Sequence, residues 1–422
     1  MAGTPPSSNT GPLSSSSSGS LLPPASAAIH AGAAPKILLA KPPGIGAAAS
    51  KFGREDEPSS AAAALRARVP PLGSLNLVIS DAWELHADRA LPFLTENTDF
   101  TVVGIIGPPG AGKSTIMNEL YGYDGASAGM LPPFSVQSDE TRSMARHCTM
   151  GIEIRISSER LILLDAQPIF SPSVLSDMTR PDGTSSIPVL NGEPLSVDLA
   201  HELMGIQLAV FLASVCHVLL VVTEGIHDVS MWQLMLTVDM LKHNIPDPSL
   251  MASSHAQAIK MGTGKEWRDE ILAPGEEFLA TPFFVHTKLR HQDLSPRNVV
   301  LLKKMLGEYF RSTSFCTTSA AAGVDGSGVH QQELSEQKKL MGPDLVLLPL
   351  KAQDSRPQHE SFTSTLGKLR DQVLSMNPHS FTKPISERDW LRNSAKVWEM
   401  VKRSPVIADY CRCLQNSGQF RK

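Results

Sequence analysis

The sequence lacks the features that mark zinc-binding and nucleic-acid-binding proteins. Its five cysteines are scattered, and none forms the C-x-x-C pair that a zinc site uses. The formal net charge is −4 and there is no long basic block, so a nucleic-acid surface is not indicated. These absences favour free thiols in a reducing compartment and a protein without a direct nucleic-acid partner.

The sequence also has no hydrophobic run long enough to span a bilayer. The longest apolar stretch, LAVFLASVCHVLLVV at 208–222, is interrupted by His217 and falls short of the roughly 18–20 residues required. The N-terminus shows no cationic start followed by an apolar core and a cleavage site, so no secretory signal is predicted. We therefore expect a cytoplasmic location, with the nucleus as an alternative, and no membrane contact.

Residues 1–74 differ in composition from the rest of the chain. They contain a serine run at 14–18, repeated alanine and proline, and almost no aromatic residues. Such a segment buries too little apolar area to offset the entropy of ordering. We predict a disordered low-complexity tail at 1–74, a domain at 75–380 and a C-terminal helical extension at 381–422.

Beyond residue 75, apolar strands alternate with amphipathic helices. The spacing predicts helices at 80–97, 113–121, 197–213, 228–243, 295–311, 360–376 and 386–404, and strands at 100–107, 151–157, 160–166, 216–222, 282–288 and 344–350. The strands at 151–157 and 160–166 are close enough to form a hairpin. This order predicts an α/β fold with a mostly parallel sheet, helices on both faces, and ligands at the carboxyl ends of the strands. Surface insertions are predicted at 246–279 and 316–342.

The stretch VVGIIGPPGAGKSTIMNEL at 102–120 carries the clearest chemical signal. From Gly107 to Ser114 it fits G-x-x-x-x-G-K-[ST], the phosphate loop (P-loop) motif, between a predicted strand and a predicted helix. Backbone N–H groups of such a loop converge on a phosphate, the lysine reaches the β- and γ-phosphate oxygens, and the serine binds Mg²⁺. We predict that the phosphate contacts are Gly107, Gly110, Ala111, Gly112, Lys113, Ser114 and Thr115.

Two further residues complete a predicted magnesium site for ATP or GTP. Asp165 ends the apolar strand LILLDA, where a P-loop protein places a carboxylate that holds Mg²⁺. Thr149 precedes the hairpin, at the position of the threonine that closes on Mg²⁺ in G domains. We predict that Ser114, Asp165 and Thr149 are the metal ligands, with an ordinary loop threonine as the alternative for Thr149.

Two motifs of a switching G domain are altered. Asp165 is followed by Ala-Gln-Pro instead of the pattern D-x-x-G, and Pro168 has no N–H to offer a γ-phosphate. The base-reading strand ends in Thr287-Lys288-Leu289-Arg290 instead of N-K-x-D, and an arginine accepts no hydrogen bond. We therefore predict base contacts from Thr287 and Lys288, weak guanine selectivity, and no catalytic residue.

The unusual D-x-Q-P strand end lies in LLDAQPIFSPSVL at 163–175. Together with the phosphate loop, FLASVCHVLLVV and LRNSAKVWEMVKRS, it closely resembles the smaller G-domain-like regulatory subunits of the SMG kinase complex in nonsense-mediated mRNA decay. The resemblance implies a P-loop, G-domain-like fold and a non-kinase subunit. It also implies two partners: a larger G-like subunit that forms a heterodimer with it, and a phosphatidylinositol-kinase-related protein kinase that the pair binds and restrains.

The retained phosphate loop and the altered switch and base motifs favour a structural nucleotide in a non-catalytic scaffolding subunit. The alternative is a dynamin-like NTPase with partner-stimulated hydrolysis. It needs a positioned water and a cation, for which Gln167 and either Arg142 or Arg146 are the nearby candidates. A small-molecule kinase would need an acceptor site and an arginine-bearing lid, and the sequence shows no signature of either.

Overall fold

The computed structural model describes residues 75–79, 82–123, 131–190, 195–251, 278–315, 342–351, 360–376 and 380–417. All of them fall within one unit of the chain, Val69–Lys422. The tail predicted at 1–74 and most of both predicted insertions lie outside the described residues.

One sheet of eight strands organises the part of the chain that the structure describes. The strands are β1 (Asn76–Ile79), β2 (Glu84–Leu85), β3 (Thr101–Ile106), β4 (Ile152–Ile156), β5 (Leu161–Ala166), β6 (Val218–Glu224), β7 (Thr281–Leu289) and β8 (Asp344–Pro349). Their order is β2-β1-β4-β5-β3-β6-β7-β8. The five strands from β5 to β8 in this order run parallel, whereas β4, β1 and β2 are joined by antiparallel pairings. The predicted mostly parallel sheet is confirmed.

The predicted hairpin is formed by β4 and β5, which pair antiparallel from Ile152 opposite Ala166 to Ile156 opposite Ile162. The hairpin closes with a hydrogen bond from the Ser157 N–H to the Leu161 carbonyl, 2.9 Å. The hairpin places the end of β5 beside the end of β3, because β3 and β5 are parallel neighbours. The phosphate loop and Asp165 therefore lie at the same edge of the sheet.

Nine α-helices surround this sheet in the described ranges. They are α1 (Lys113–Tyr121), α2 (Asp139–Ser143), α3 (Pro172–Met178), α4 (Val197–Val215), α5 (Ser230–Leu241), α6 (Pro296–Tyr309), α7 (Phe362–Ser375), α8 (Glu387–Lys402) and α9 (Pro405–Asn416). The side chains of α1 and α7 form one apolar cluster with the sheet, and those of α3 to α6, α8 and α9 form the other. The side chains of β3 alternate between them, so helices cover both faces as predicted.

Helix α4 is the central helix of the larger cluster, and α5 and α8 pack against it. By length and composition it could cross a membrane, but 72% of its apolar window is buried inside the protein. No other helix in the described ranges meets the same test. A core helix buried on all sides has this composition too, so the finding is weak evidence for a membrane span.

Helix α8 packs on the domain through two buried tryptophans. The indole N–H of Trp390 donates to the carbonyl of Val215, 2.9 Å, at the end of α4. The indole N–H of Trp398 donates to the carbonyl of Trp83, 3.3 Å. The carboxylate of Glu387 accepts from the N–H and the hydroxyl of Thr95, at 2.7 and 2.9 Å. The segment predicted as a C-terminal extension thus shares the core of the preceding domain.

The helix predicted at 80–97 is wrong. Strand β2 and two short 3₁₀ helices, Ala87–Arg89 and Leu91–Phe93, occupy half of the described part of this stretch. Trp83 has a positive φ of 52° and donates its indole N–H to the Gln207 side chain, 2.6 Å. The pairing of β1 with β4 and the burial of Trp83 outweigh the local helical spacing. Strand β1 and the helices α2 and α3 are not predicted either, whereas α9 falls within the predicted C-terminal helical extension.

Candidate functional site

The phosphate loop connects β3 to α1 and requires glycine at three of its positions. Gly110 and Gly112 have φ angles of 73° and 95°, in the left-handed region that other residues rarely adopt. A Cβ atom on Gly107 would lie 2.4 Å from the carbonyl oxygen of Val222 in β6. The backbone therefore requires glycine at these three positions whether or not a ligand binds.

Gly107→Ala is expected to lower the free energy of unfolding by about 1–3 kcal/mol, since the loop must move away from the β6 backbone. Gly205→Ala in α4 is the matched control, because its new Cβ would lie 3.6 Å from Ile169, an ordinary contact. Urea unfolding of both variants measures the difference. Equal stability of the two variants would contradict the close approach of the loop to β6.

The side chain of Lys113 is folded onto its own loop. Its Nζ atom donates to the carbonyls of Gly107, 3.0 Å, and Pro108, 3.2 Å. The residue is 7% exposed, and burial lowers its pKa to about 8, although Asp165 acts in the opposite direction. A buried cation whose hydrogen bonds in the described ranges go to loop carbonyls is placed to bind an anion that enters the loop.

The three predicted metal ligands lie together at the end of β5. One carboxylate oxygen of Asp165, Oδ2, accepts from the Ser114 hydroxyl at 2.7 Å and from the Thr149 hydroxyl at 3.0 Å. Asp165 is fully buried, and this burial raises its pKa, against the opposing effects of Lys113 and the two hydroxyls. Its other oxygen, Oδ1, is buried and has no hydrogen-bond partner among the described residues.

This donor set fits Mg²⁺, which prefers oxygen ligands and takes few of them from the protein. One carboxylate and two hydroxyls are within reach of a common point, and the buried Oδ1 atom of Asp165 lacks a partner in the structure. No cluster of three or more His, Cys, Asp or Glu side chains suited to a metal occurs in the described ranges. The site would therefore need phosphate oxygens and water to complete a magnesium shell.

A cavity opens above the loop. Five of the predicted phosphate contacts line it, namely Gly110, Gly112, Lys113, Ser114 and Thr115, whereas Gly107 and Ala111 do not. Sequence reasoning missed Gln137 and His147, which line it too. His147 shares a hydrogen bond with the Ser173 hydroxyl, 2.8 Å, and burial lowers its pKa. Both residues lie in a polar loop without a motif, so no sequence signal could have found them.

Of the three side chains considered for nucleotide hydrolysis, one lines the cavity and two do not. The Gln167 side chain is 2% exposed, and its Oε1 atom accepts from the Gly151 N–H, 2.8 Å. Pro168, the next residue, lines the cavity, as does Arg142, whose guanidinium pairs with Asp139 at 3.2 Å. Arg146 is not one of the lining residues. The glutamine side chain is therefore not among the groups that line this cavity; it lines a second cavity, which His147 also lines.

The predicted base contacts do not line the cavity either. The Thr287 hydroxyl is buried and lies 2.9 Å from the carbonyl of Ala111 and 3.1 Å from that of Thr223. Lys288 has a φ of 56° and forms an ion pair with Glu224, 2.6 Å. Thr287 thus supports the phosphate loop through its hydrogen bond to the Ala111 carbonyl. The base contacts of Thr287 and Lys288 stay a prediction. His217 is buried, and its Nδ1 atom accepts from the Val102 N–H at 2.9 Å.

The described residues thus form an α/β protein whose mostly parallel sheet carries a glycine-rich loop, a buried lysine and a cluster of one carboxylate and two hydroxyls at one edge.

No family model matches the chain. It is 31% identical over 398 residues to the nonsense-mediated mRNA decay factors SMG9 of Xenopus tropicalis and Xenopus laevis, which covers 88% of this chain and 72% of each relative. The SMG9 of Salmo salar is 28% identical over 352 residues, 77% of this chain and 64% of the relative. The chain belongs to the SMG9 family of nonsense-mediated mRNA decay factors, which confirms the resemblance noted from the sequence.

Proposed function

We propose that this chain acts in nonsense-mediated mRNA decay as a non-catalytic regulatory and scaffolding subunit that holds a nucleotide in a P-loop of a G-domain-like fold. The observation that carries the proposal is the meeting of Ser114, Thr149 and Asp165 beside the buried Lys113. A sequence that needed only a tight turn would not require a buried lysine and a buried carboxylate next to it, since both are costly to bury.

In the proposed complex, ATP or GTP places its phosphates against the loop from Gly107 to Thr115. Lys113 leaves the carbonyls of its own loop for the phosphate oxygens, and Ser114, Thr149 and Asp165 hold Mg²⁺. The metal ion, when bound, neutralises the charge of the phosphate oxygens. The hydroxyl of Thr287 stays with the loop carbonyl, and selectivity for guanine is weak because Arg290 replaces the aspartate that reads it.

Two features support a structural nucleotide over a hydrolysed one. Gln167 is turned towards Gly151 and away from the cavity, and Pro168 offers no N–H to a γ-phosphate. A ligand that binds only the folded state stabilises it by mass action, by about 4 kcal/mol at a thousandfold excess over its dissociation constant. The nucleotide would thus fix the shape of the surface that partners recognise.

The proposed partners are a larger G-like subunit, which forms a heterodimer with this chain, and the phosphatidylinositol-kinase-related protein kinase of mRNA decay, which the pair binds and restrains. Membership of the SMG9 family supports this assignment, since relatives are named as decay factors. The proposed location is the cytoplasm, with the nucleus as a second one, and neither nucleic acid nor a membrane is a proposed direct partner.

A dynamin-like NTPase, stimulated by the partner, is the second candidate. The position of Arg142 favours it, because this exposed cation lines the cavity, where a cation can stabilise charge in phosphoryl transfer. In this case the partner would have to supply the water-positioning group.

The deciding experiment measures the binding of ATP and GTP, with and without Mg²⁺, and phosphate release in the same samples. We expect both nucleotides to bind with affinities within about threefold of each other, because a site without a matched polar partner for the base discriminates weakly. We expect no release above background, with or without the larger subunit. Melting that is unchanged in saturating nucleotide would contradict the proposal, and release that needs both the partner and Arg142 would establish the NTPase instead.

A further inference from the structure

Gln167 joins the two segments that carry the predicted metal ligands. Its side-chain Oε1 atom accepts from the Gly151 N–H at 2.8 Å, and its own backbone N–H donates to the Gly151 carbonyl at 2.7 Å. Gln167 lies two residues after Asp165, and Gly151 lies two residues after Thr149. The pair of hydrogen bonds therefore ties the segment after β5 to the segment before β4, next to the metal ligands.

The geometry at the ligands agrees with this tie. The Thr149 hydroxyl donates to the Oδ2 atom of Asp165 at 3.0 Å, next to the tie between Gln167 and Gly151. Thr149 is 6% exposed, and Gly151 has a φ of 63°, so the segment is both buried and held in a conformation that suits glycine. In nucleotide switches, by contrast, contacts with the γ-phosphate and its Mg²⁺ are what order the threonine segment.

We infer that Gln167 is a positioning residue that holds Thr149 closed on Asp165, so that the metal site is assembled before a nucleotide binds and does not distinguish a diphosphate from a triphosphate. This inference rests on the proposed function, since it concerns the same site. It also assigns a role to the glutamine of the D-x-Q-P strand end. The Gln167 side chain holds Gly151 in place, whereas the corresponding loop of a switching protein is mobile. Pro168, the next residue, has no backbone N–H to donate to a γ-phosphate. Fixing the loop in place therefore costs no such contact.

Two variants separate the effect of the hydrogen-bond acceptor of Gln167 from the effect of its side-chain size. Gln167→Leu removes the oxygen that Gly151 needs, whereas Gln167→Glu keeps an oxygen acceptor on a side chain of the same length. The backbone hydrogen bond to the Gly151 carbonyl remains in both. Titrations with ADP and ATP, and with GDP and GTP, each with Mg²⁺ and with EDTA, give the gain in affinity that Mg²⁺ provides. Hydrogen exchange of the nucleotide-free protein reports the Gly151 amide directly.

In the wild-type chain we expect the gain from Mg²⁺ to be equal, within about threefold, for di- and triphosphates, because Thr149 is in place for both. In Gln167→Leu we expect this gain to fall about tenfold for diphosphates and less for triphosphates, which can still draw Thr149 in. Affinities in EDTA should not change, because the phosphate loop is untouched. The Gly151 amide should exchange about tenfold faster in Gln167→Leu, whereas Gln167→Glu, which keeps the oxygen acceptor, should retain the slow exchange of the wild type.

Three results would overturn the inference. One is a wild-type gain from Mg²⁺ that is much larger for triphosphates, which would mean that Thr149 switches. Another is a Gln167→Leu variant with unchanged exchange at Gly151 and an unchanged gain from Mg²⁺. A third is a wild-type chain that binds no nucleotide while its Gly151 exchange still depends on Gln167. This last result would refute the proposed function as well and reduce the glutamine to a structural contact, whereas the first two leave nucleotide binding intact.

Discussion

Lys113→Ala is expected to weaken the binding of ATP and GTP by about a hundredfold, because each hydrogen bond from a charged group contributes about 1.5–3 kcal/mol. The structure gives the reason: Lys113 is buried, its nitrogen donates to two loop carbonyls, and Gly112 and Ser114 on either side line the same cavity. Calorimetric titration measures the affinity, and Lys304→Ala, on the exposed face of α6, is the control for loss of a positive charge. Equal affinity of Lys113→Ala and the wild type would remove the basis for a phosphate site.

The charge of Lys113 also gives this binding a pH dependence with a definite sign. In the folded, nucleotide-free chain its pKa is lowered from 10.5 to about 8. Between pH 8 and 10.5 the unfolded chain therefore binds more protons than the folded chain, so the free energy of unfolding rises with pH in this window. Below about pH 8 the cost of burying the charged lysine is fully present. Phosphate binding needs the charged form, so affinity falls as pH rises above about 8. The difference in unfolding free energy between the wild type and Lys113→Ala isolates this effect from other titrating groups.

Trp398→Ala is expected to lower the free energy of unfolding by about 3–5 kcal/mol, a large part of the stability of an ordinary domain. Trp398 in α8 is fully buried and makes edge contacts with Trp83 and Phe211, with ring centroids 5.2 Å apart in both pairs. Removal of its side chain leaves a cavity between α8, α4 and the first segment of the domain. Urea unfolding followed by far-ultraviolet circular dichroism measures the loss.

Trp398→Phe is the matched control for this variant, because it keeps an aromatic ring and loses the hydrogen bond to the Trp83 carbonyl. We expect it to cost clearly less than the alanine variant, about 1–3 kcal/mol. A single unfolding transition would show that residues 381–422 share the stability of the domain. A separate early transition, with a small cost for Trp398→Ala, would contradict this shared stability and show that residues 381–422 unfold independently.

The sequence predicts most of the parallel half of the sheet because its strands are long apolar runs between helices. The strands β3, β5, β6, β7 and β8 and the helices α4, α6 and α7 are confirmed close to their predicted positions. The edge of the sheet was harder to predict. Strands β1 and β2 have four and two residues, too few for a period to show, and the long-range pairing of β1 with β4 decides them.

At the site, the identity of the residues at the loop and the strand end can be predicted from the chain alone, because the motif from Gly107 to Ser114 and the position of Asp165 follow from local spacing. The contacts between these residues could not be predicted and depend on how the chain folds. It brought Thr149, 16 positions away in the chain, onto Asp165, and it turned Gln167 towards Gly151 and away from the cavity. Local spacing fixes where backbone groups lie along a strand or loop, whereas the direction of a buried polar side chain depends on which distant partner satisfies its hydrogen bonds.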